Sequence, residues 1–249
     1  MDDTTNHDEG QLNEDQHDEG QQDRPGPIVH LYVLLDRSGS MASMADDVIG
    51  GFNRLLADQQ ADGPDARITL VQFDTEDPQK VVVDAIPIAE MAPLDAATFV
   101  PRGGTPLLDA TARLIASATA RAATLASVAH RPEEVVFVSI TDGHENASRE
   151  QSLRAVTDLI SERTAAGWTF VFLGAGLDVH GEAGGLGVAA GNIQAFAPCS
   201  DGAAIAFDSL SQSTRNMRGK VRRSEQVDKA EFFEDGKPAE SHRRRTTGR

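Results

Sequence analysis

Apolar positions along this chain switch between two spacings. Short, nearly continuous apolar runs bounded by turn residues predict buried strands, and apolar residues three and four apart predict helices. The run at 28–35 is the first strand, apolar at almost every position and so buried on both faces. A helix follows at 44–60, with Val48, Phe52, Leu55 and Leu56 on one face, and Gly63-Pro64-Asp65 breaks it. A second strand is predicted at 68–73 and a third at 80–88. Pro87 places the third at a sheet edge, and its short connections suggest a hairpin, hence an antiparallel strand. A loop at 91–104 precedes a long helix at 106–129, with Leu107, Thr111, Leu114 and Ala118 on one side. Then come a very apolar strand at 134–140, a helix at 148–166 stopped by Gly167, and a strand at 168–173. A short helix at 179–183, a short sixth strand at 192–197 and a closing helix at 201–217 complete the series. Strands that alternate with helices predict a three-layer, doubly wound, Rossmann-like α/β fold. Its sheet is mostly parallel, with one antiparallel edge strand.

Charge divides the chain into three. Residues 1–23 hold nine acidic side chains and no Lys or Arg, and few apolar residues. Such a segment cannot bury enough surface to fold alone, so 1–26 is expected to be a disordered acidic tail. The domain is expected at 27–214. From residue 215 onward eleven Lys and Arg face six Asp and Glu, which predicts a basic, largely disordered tail at 215–249. That tail interleaves acids with its arginines, and the net charge of the whole chain is −16. Nucleic acid is therefore an unlikely partner, since phosphate affinity needs a dense basic surface. The single cysteine, Cys199, cannot form an internal disulfide. The chain opens on acidic residues and holds no apolar run near the ~20 residues of a membrane span. These features predict a cytoplasmic protein that uses no membrane, and the excess of Arg over Lys hints at a high-GC bacterial source.

Candidate chemistry gathers at strand ends. Asp36-Arg37-Ser38-Gly39-Ser40 follows the first strand and offers one carboxylate and two hydroxyls at alternate positions. Gly103-Gly104-Thr105-Pro106 offers a hydroxyl on a glycine turn that opens a helix. Thr141-Asp142-Gly143 offers a carboxylate at the end of the most apolar strand. Each alone is ordinary turn chemistry. Together they form an all-oxygen set at the strand ends, where open α/β sheets bind ligands. Hard oxygen donors suit Mg²⁺ or Mn²⁺ rather than zinc or copper.

On these three segments the chain resembles von Willebrand factor type A (vWA) domains with a metal-ion-dependent adhesion site. The family pattern is Asp-x-Ser-x-Ser, then a distant Thr, then a distant Asp. It maps onto Asp36, Ser38 and Ser40, onto Thr105, and onto Asp142. The resemblance implies that Ser38, Ser40 and Thr105 touch a Mg²⁺ (or Mn²⁺) ion directly. It implies that Asp36 and Asp142 act mostly through water, and that one coordination position stays open for an Asp or Glu of a protein partner. The implied function is a non-catalytic interaction module, of a kind that often works inside larger assemblies. The helix start at Thr105-Pro106 would add positive potential for that acid. A helix-capping role for Thr105 competes with a ligand role, because a hydroxyl that accepts from a helix N–H has one lone pair left.

The alternative from another class is a Mg²⁺-dependent phosphotransferase or phosphatase using Asp36. Families with a strand-end nucleophilic Asp place a second Asp two residues on, where this chain has Ser38. A serine nucleophile would need a base in reach, and no histidine is placed to be one. Gly174-Ala175-Gly176 fails the dinucleotide pattern, since Val179 stands where the third glycine belongs. His144 is expected as an exposed rim residue, and Asp46 and Asp47 as helix N-terminal charges.

Overall fold

The structure, a computed structural model, describes residues 26–127, 133–176 and 178–247. Six strands form one sheet: β1 (Ile28–Asp36), β2 (Ala66–Phe73), β3 (Lys80–Pro87), β4 (Glu133–Thr141), β5 (Thr169–Ala175) and β6 (Ile193–Phe196). Their order is β3-β2-β1-β4-β5-β6. All neighbours run parallel except β2 and β3, which are antiparallel. The chain therefore has the mostly parallel α/β fold, with the antiparallel edge at the strand marked by Pro87. The helices are α1 (Ala45–Ala61), α2 (Leu107–Ser127), α3 (Leu153–Ala165), α4 (Val179–Gly185), α5 (Ser200–Arg222) and α6 (Pro238–Thr247).

Alternation along β1 divides the core. Leu31, Val33 and Leu35 pack with α1 and α5, while Tyr32 and Leu34 pack with α2, α3 and α4. Leu34 and Leu35 are wholly buried, each stabilising the fold by about 1.5–3 kcal/mol. Gly51 lets α1 and α5 close together, since a Cβ there would stand 2.3 Å from the Phe207 ring. The expected helix at 148–166 starts later, at Leu153, for a specific reason. The Asp109 carboxylate on α2 accepts from the N–H groups of Arg149, Glu150 and Gln151 at 2.8, 3.0 and 2.8 Å. Those donors are spent on α2, and Ser152 then caps α3 by accepting from Ala155.

The C-terminal segment differs from expectation in its described part. α5 runs through Met217 and Val221 to Arg222, because both side chains are buried in the core. Arg218 is wholly buried between α5 and α1, donating to Gln59, Gly63 and Asp65. Beyond it Phe232 and Phe233 join the α1–α5 core, and α6 docks beside β6. An average over charge hid these apolar anchors. Residues 1–25 of the expected acidic tail lie outside the described residues. No described helix is long and apolar enough to cross a membrane.

Candidate metal centre

The parallel register sets Leu35 beside Ile140, so β1 and β4 end together. Asp36, the last residue of β1, lies next to Thr141, the last of β4. Thr141 Oγ1 donates to Asp36 Oδ2 at 2.6 Å, and the Ser38 N–H donates to Asp36 Oδ1 at 2.7 Å. Both carboxylate oxygens are thus held in place. Ser38 Oγ and Ser40 Oγ hydrogen-bond at 3.1 Å, and Ser40 Oγ donates to Asp142 Oδ1 at 2.7 Å. Gly143 locates the fifth residue. A Cβ there would lie 3.0 Å from Thr105 Oγ1, 3.5 Å from Ser40 Oγ and 3.9 Å from Asp36 Oδ2. Five residues from three segments therefore bring their oxygens together at the carboxyl end of the sheet. Asp36, Ser38 and Thr105 are buried, whereas Ser40 is exposed and Asp142 half-buried. The cluster is closed below and open to solvent above.

The loops carrying these groups are tied to one another. Gly39 N–H donates to the Gly103 carbonyl at 3.0 Å, and Arg102 N–H to the Arg37 carbonyl at 2.8 Å. Asp74 sits under both, with Arg37 Nε at 2.7 Å and Arg102 Nε at 2.9 Å. Gly103 has a φ of 66° and a Cβ there would meet Thr75 Oγ1 at 2.4 Å, so this turn requires glycine. Thr105 N–H donates to Asn146 Oδ1 at 3.0 Å, and Asn146 N–H returns a bond to the Thr105 carbonyl at 3.2 Å.

Two expectations about the start of α2 change. Its first donors are already occupied: Leu108 N–H donates to Glu145 Oε2 at 2.9 Å and Asp109 N–H to Ser148 Oγ at 3.1 Å. The helix end is neutralised from within, so it is not a source of attraction for a partner's acid. The caps also relieve Thr105 of that duty. Among the described residues no hydrogen bond engages Thr105 Oγ1, which leaves both lone pairs for a ligand role.

The electrostatics favour a cation. Burial pushes Asp36 up to about 6, only partly offset by the bonds from Thr141 and Ser38, with Asp142 nearby adding to the rise. Burial likewise raises Asp142, against the bond from Ser40. No ion pair to either carboxylate is present among the described residues. Two carboxylates and three hydroxyls are a hard donor set that fits Mg²⁺ or Mn²⁺. No cluster of three or more His, Cys, Asp or Glu suited to a metal occurs among the described residues. His144 stands outside the cluster, exposed and facing Glu182 at 3.4 Å.

Sequence reasoning missed the supports. Thr141 orients Asp36, while Glu145, Asn146 and Asp109 fasten the loop after β4 to α2. Thr141 was findable, since it directly precedes Asp142 at a strand end. The other three bond to main-chain groups about forty residues away, and no local pattern signals them.

No family model matches this sequence, and no curated protein is similar to it. Solved structures do share the architecture. The pilus adhesin SpaC from Lactobacillus rhamnosus GG, in an open conformation, aligns over 79% of this chain at 13% identity, with a TM-score of 0.56. Proximal thread matrix protein 1 from the mussel byssus aligns over 74% at 15% identity, with a TM-score of 0.50. This chain spans only 31% and 47% of those two proteins. The VWA domain of SpRpn10 also aligns, over 74% of this chain and 95% of its own, at 12% identity and a TM-score of 0.47. At such identities the likeness shows the fold alone, a mostly parallel, Rossmann-like α/β fold shared with the first two of these structures.

Proposed function

We propose that this chain is a non-catalytic vWA module that binds Mg²⁺ or Mn²⁺ and captures an acidic side chain of a protein partner. The supporting observation is the meeting of Asp36, Ser38, Ser40, Thr105 and Asp142 at the open end of the sheet. A bound divalent ion would supply an electrophilic position for a partner's carboxylate. Ser38, Ser40 and Thr105 are neutral donors, so they would leave most of the ion's charge uncancelled. Asp36 and Asp142 would supply the negative charge that holds the ion. Thr141 and the Ser38 N–H hold Asp36 in one orientation. The glycine turns at Gly103 and Gly143 bring the three loops within reach. An enzymatic role has less support, because His144 pairs with Glu182 and faces neither serine.

Differential scanning calorimetry in EDTA and in millimolar Mg²⁺ tests the metal. The ion should raise the melting temperature with concentration, as RT ln(1 + [Mg²⁺]/Kd) requires. Identical curves would count against a competent centre. Capture from lysate on immobilised protein, washed with Mg²⁺ and eluted with EDTA, tests the interaction. Turnover of generic phosphatase substrates that is lost in Asp36→Asn would reverse the reading in favour of an enzyme.

A further inference from the structure

The basic run Arg243-Arg244-Arg245 was expected in a tail, yet the structure ties its first residue to the end of β5, next to the strand that leads to Asp142. α6 is held along the β6 side: Ala239 N–H donates to Gln194 Oε1 at 3.2 Å, and Glu240 pairs with His180 of α4 at 2.8 Å. Arg243 then donates to the carbonyl of Gly176, just past the end of β5. β4 and β5 pair Thr141 with Gly174, so the residues after them also run side by side. A Cβ on Gly176 would lie 3.8 Å from the Asp142 carbonyl oxygen. One end of the arginine run is thereby anchored at the rim of the cluster. Arg244 is 78% exposed and reaches Glu240 only at 3.3 Å, and Arg245 is exposed.

Resting on the proposed reading of the metal centre, we infer that this run is the second half of the partner site. The partner segment carries several acidic side chains, one for the centre and others for the arginines of α6. A single carboxylate on one ion selects little, because any Asp or Glu would serve. Guanidinium forks beside it add directional, bidentate recognition of further carboxylates. They also place positive potential on a chain that is otherwise strongly acidic, which steers an acidic segment to this edge.

The test uses the full chain and two fluorescent peptides of equal length in a glycine-serine background. One carries a single glutamate and the other four. In Mg²⁺ the four-glutamate peptide should bind about fivefold tighter or better, the gain from one exposed ion pair at the upper end of its usual range. Added salt should shrink that preference. R243Q/R244Q/R245Q should bring the two peptides level while leaving the Mg²⁺ melting increment unchanged. Because Arg243 also touches the chain, R244Q/R245Q is the control for folding and should lose part of the preference. Equal binding of both peptides by the native chain, or an undiminished preference in the triple variant, overturns the inference and leaves the metal reading intact. A native chain without any Mg²⁺ melting increment sinks both. Binding of a single-stranded DNA oligonucleotide that survives EDTA and vanishes in the triple variant also overturns it, and assigns the run to nucleic acid.

Discussion

Two buried polar clusters occupy opposite ends of the same face of β1. His30 starts one and Asp36 the other, six residues apart and so about 20 Å. At the lower end His30 Nδ1 meets Glu133 Oε2 at 2.9 Å, while His30 Nε2 meets Thr69 Oγ1 at 3.0 Å. Arg121 donates to Glu133 Oε1 at 3.0 Å, and Arg67 stands 3.8 Å from it. Although burial alone would raise Glu133, His30 and Arg121 hold it down at about 2. Burial keeps His30 below its ordinary range. The lower cluster is complete: Glu133 and Asp84, the latter accepting from Thr69 Oγ1 at 3.1 Å, offset Arg121 and Arg67 beside a neutral histidine. The upper cluster has two carboxylates and no cation, and both acids are pushed up. The same sheet thus carries a charge-balanced cluster and one whose two carboxylates have no counter-charge among the described residues. Burial alone does not separate the two; charge balance does.

The largest expected effect lies at the lower end. Glu133→Gln leaves Arg121 and Arg67 facing an uncharged amide in a half-buried site and weakens charge-assisted bonds to His30 and Arg121, so it should cost about 3 kcal/mol in urea unfolding. The melting increment from Mg²⁺ should survive in that variant. A cost below ~1 kcal/mol would mean that the lower cluster is not structural and would break the contrast. Asp142→Ala is the counterpart at the upper end. It should leave the metal-free fold near native stability. It should abolish the Mg²⁺ increment, which amounts to about 2.7 kcal/mol at a hundredfold excess over Kd. Calorimetry in EDTA and in Mg²⁺ reads both quantities.

Thr141→Val sharpens the contrast within the upper cluster. It removes the donor to Asp36 Oδ2 and leaves all five proposed site residues themselves unaltered. Groups that orient metal ligands typically change affinity ~10–100-fold when removed. Mg²⁺ titration followed by calorimetry should therefore show weaker binding, with little change in the folded state in EDTA. An unchanged Kd would place Asp36 outside the metal's influence.

Much of the upper cluster was legible because its residues are short-range patterns at strand ends. Asp36, Ser38 and Ser40 fall in one turn, and Thr105 and Asp142 each sit beside a glycine. The strands were legible for a similar reason, since buried parallel strands are almost wholly apolar. The lower cluster left no trace. His30 and Glu133 are 103 residues apart, and Arg121 lies on an alanine-rich helix. Only the parallel pairing of β1 with β4, which sets Ile28 against Glu133, brings them together. The C-terminal segment was misjudged by averaging. Its charge balance suggested a solvated tail, although Met217, Val221, Phe232 and Phe233 are apolar residues that α1 and α5 bury. The start of α2 was misjudged because its capping groups, Glu145 and Ser148, come from a distant loop.

The smallest expected effect is also the sharpest contrast, because its sign is opposite at the two ends. Asp36 sits at about 6 in the fold against an ordinary 3.8. The metal-free fold therefore binds this proton more readily than the unfolded chain does. Stability should rise as pH falls from about 6 toward 4, and the charged form costs stability at pH 7. Glu133 runs the other way, at about 2 against an ordinary 4.5. Its contribution is complete above pH 4.5 and fades as pH falls toward 2. In EDTA at pH 7, Asp36→Asn removes a buried charge whose shift corresponds to roughly 3 kcal/mol. It also turns an amide NH₂ toward one of the two donors, Thr141 Oγ1 or the Ser38 N–H, which costs about 1–2 kcal/mol. The net expectation is a gain of about 1 kcal/mol in metal-free stability, together with loss of the Mg²⁺ increment. Urea unfolding in EDTA from pH 4 to 7 reads this directly, and the variant should keep only the part of the native chain's decline in stability that Asp142 contributes. A variant less stable than the native chain at pH 7, with the decline undiminished, would show that Asp36 is already balanced and that the upper cluster has no standing need of a cation.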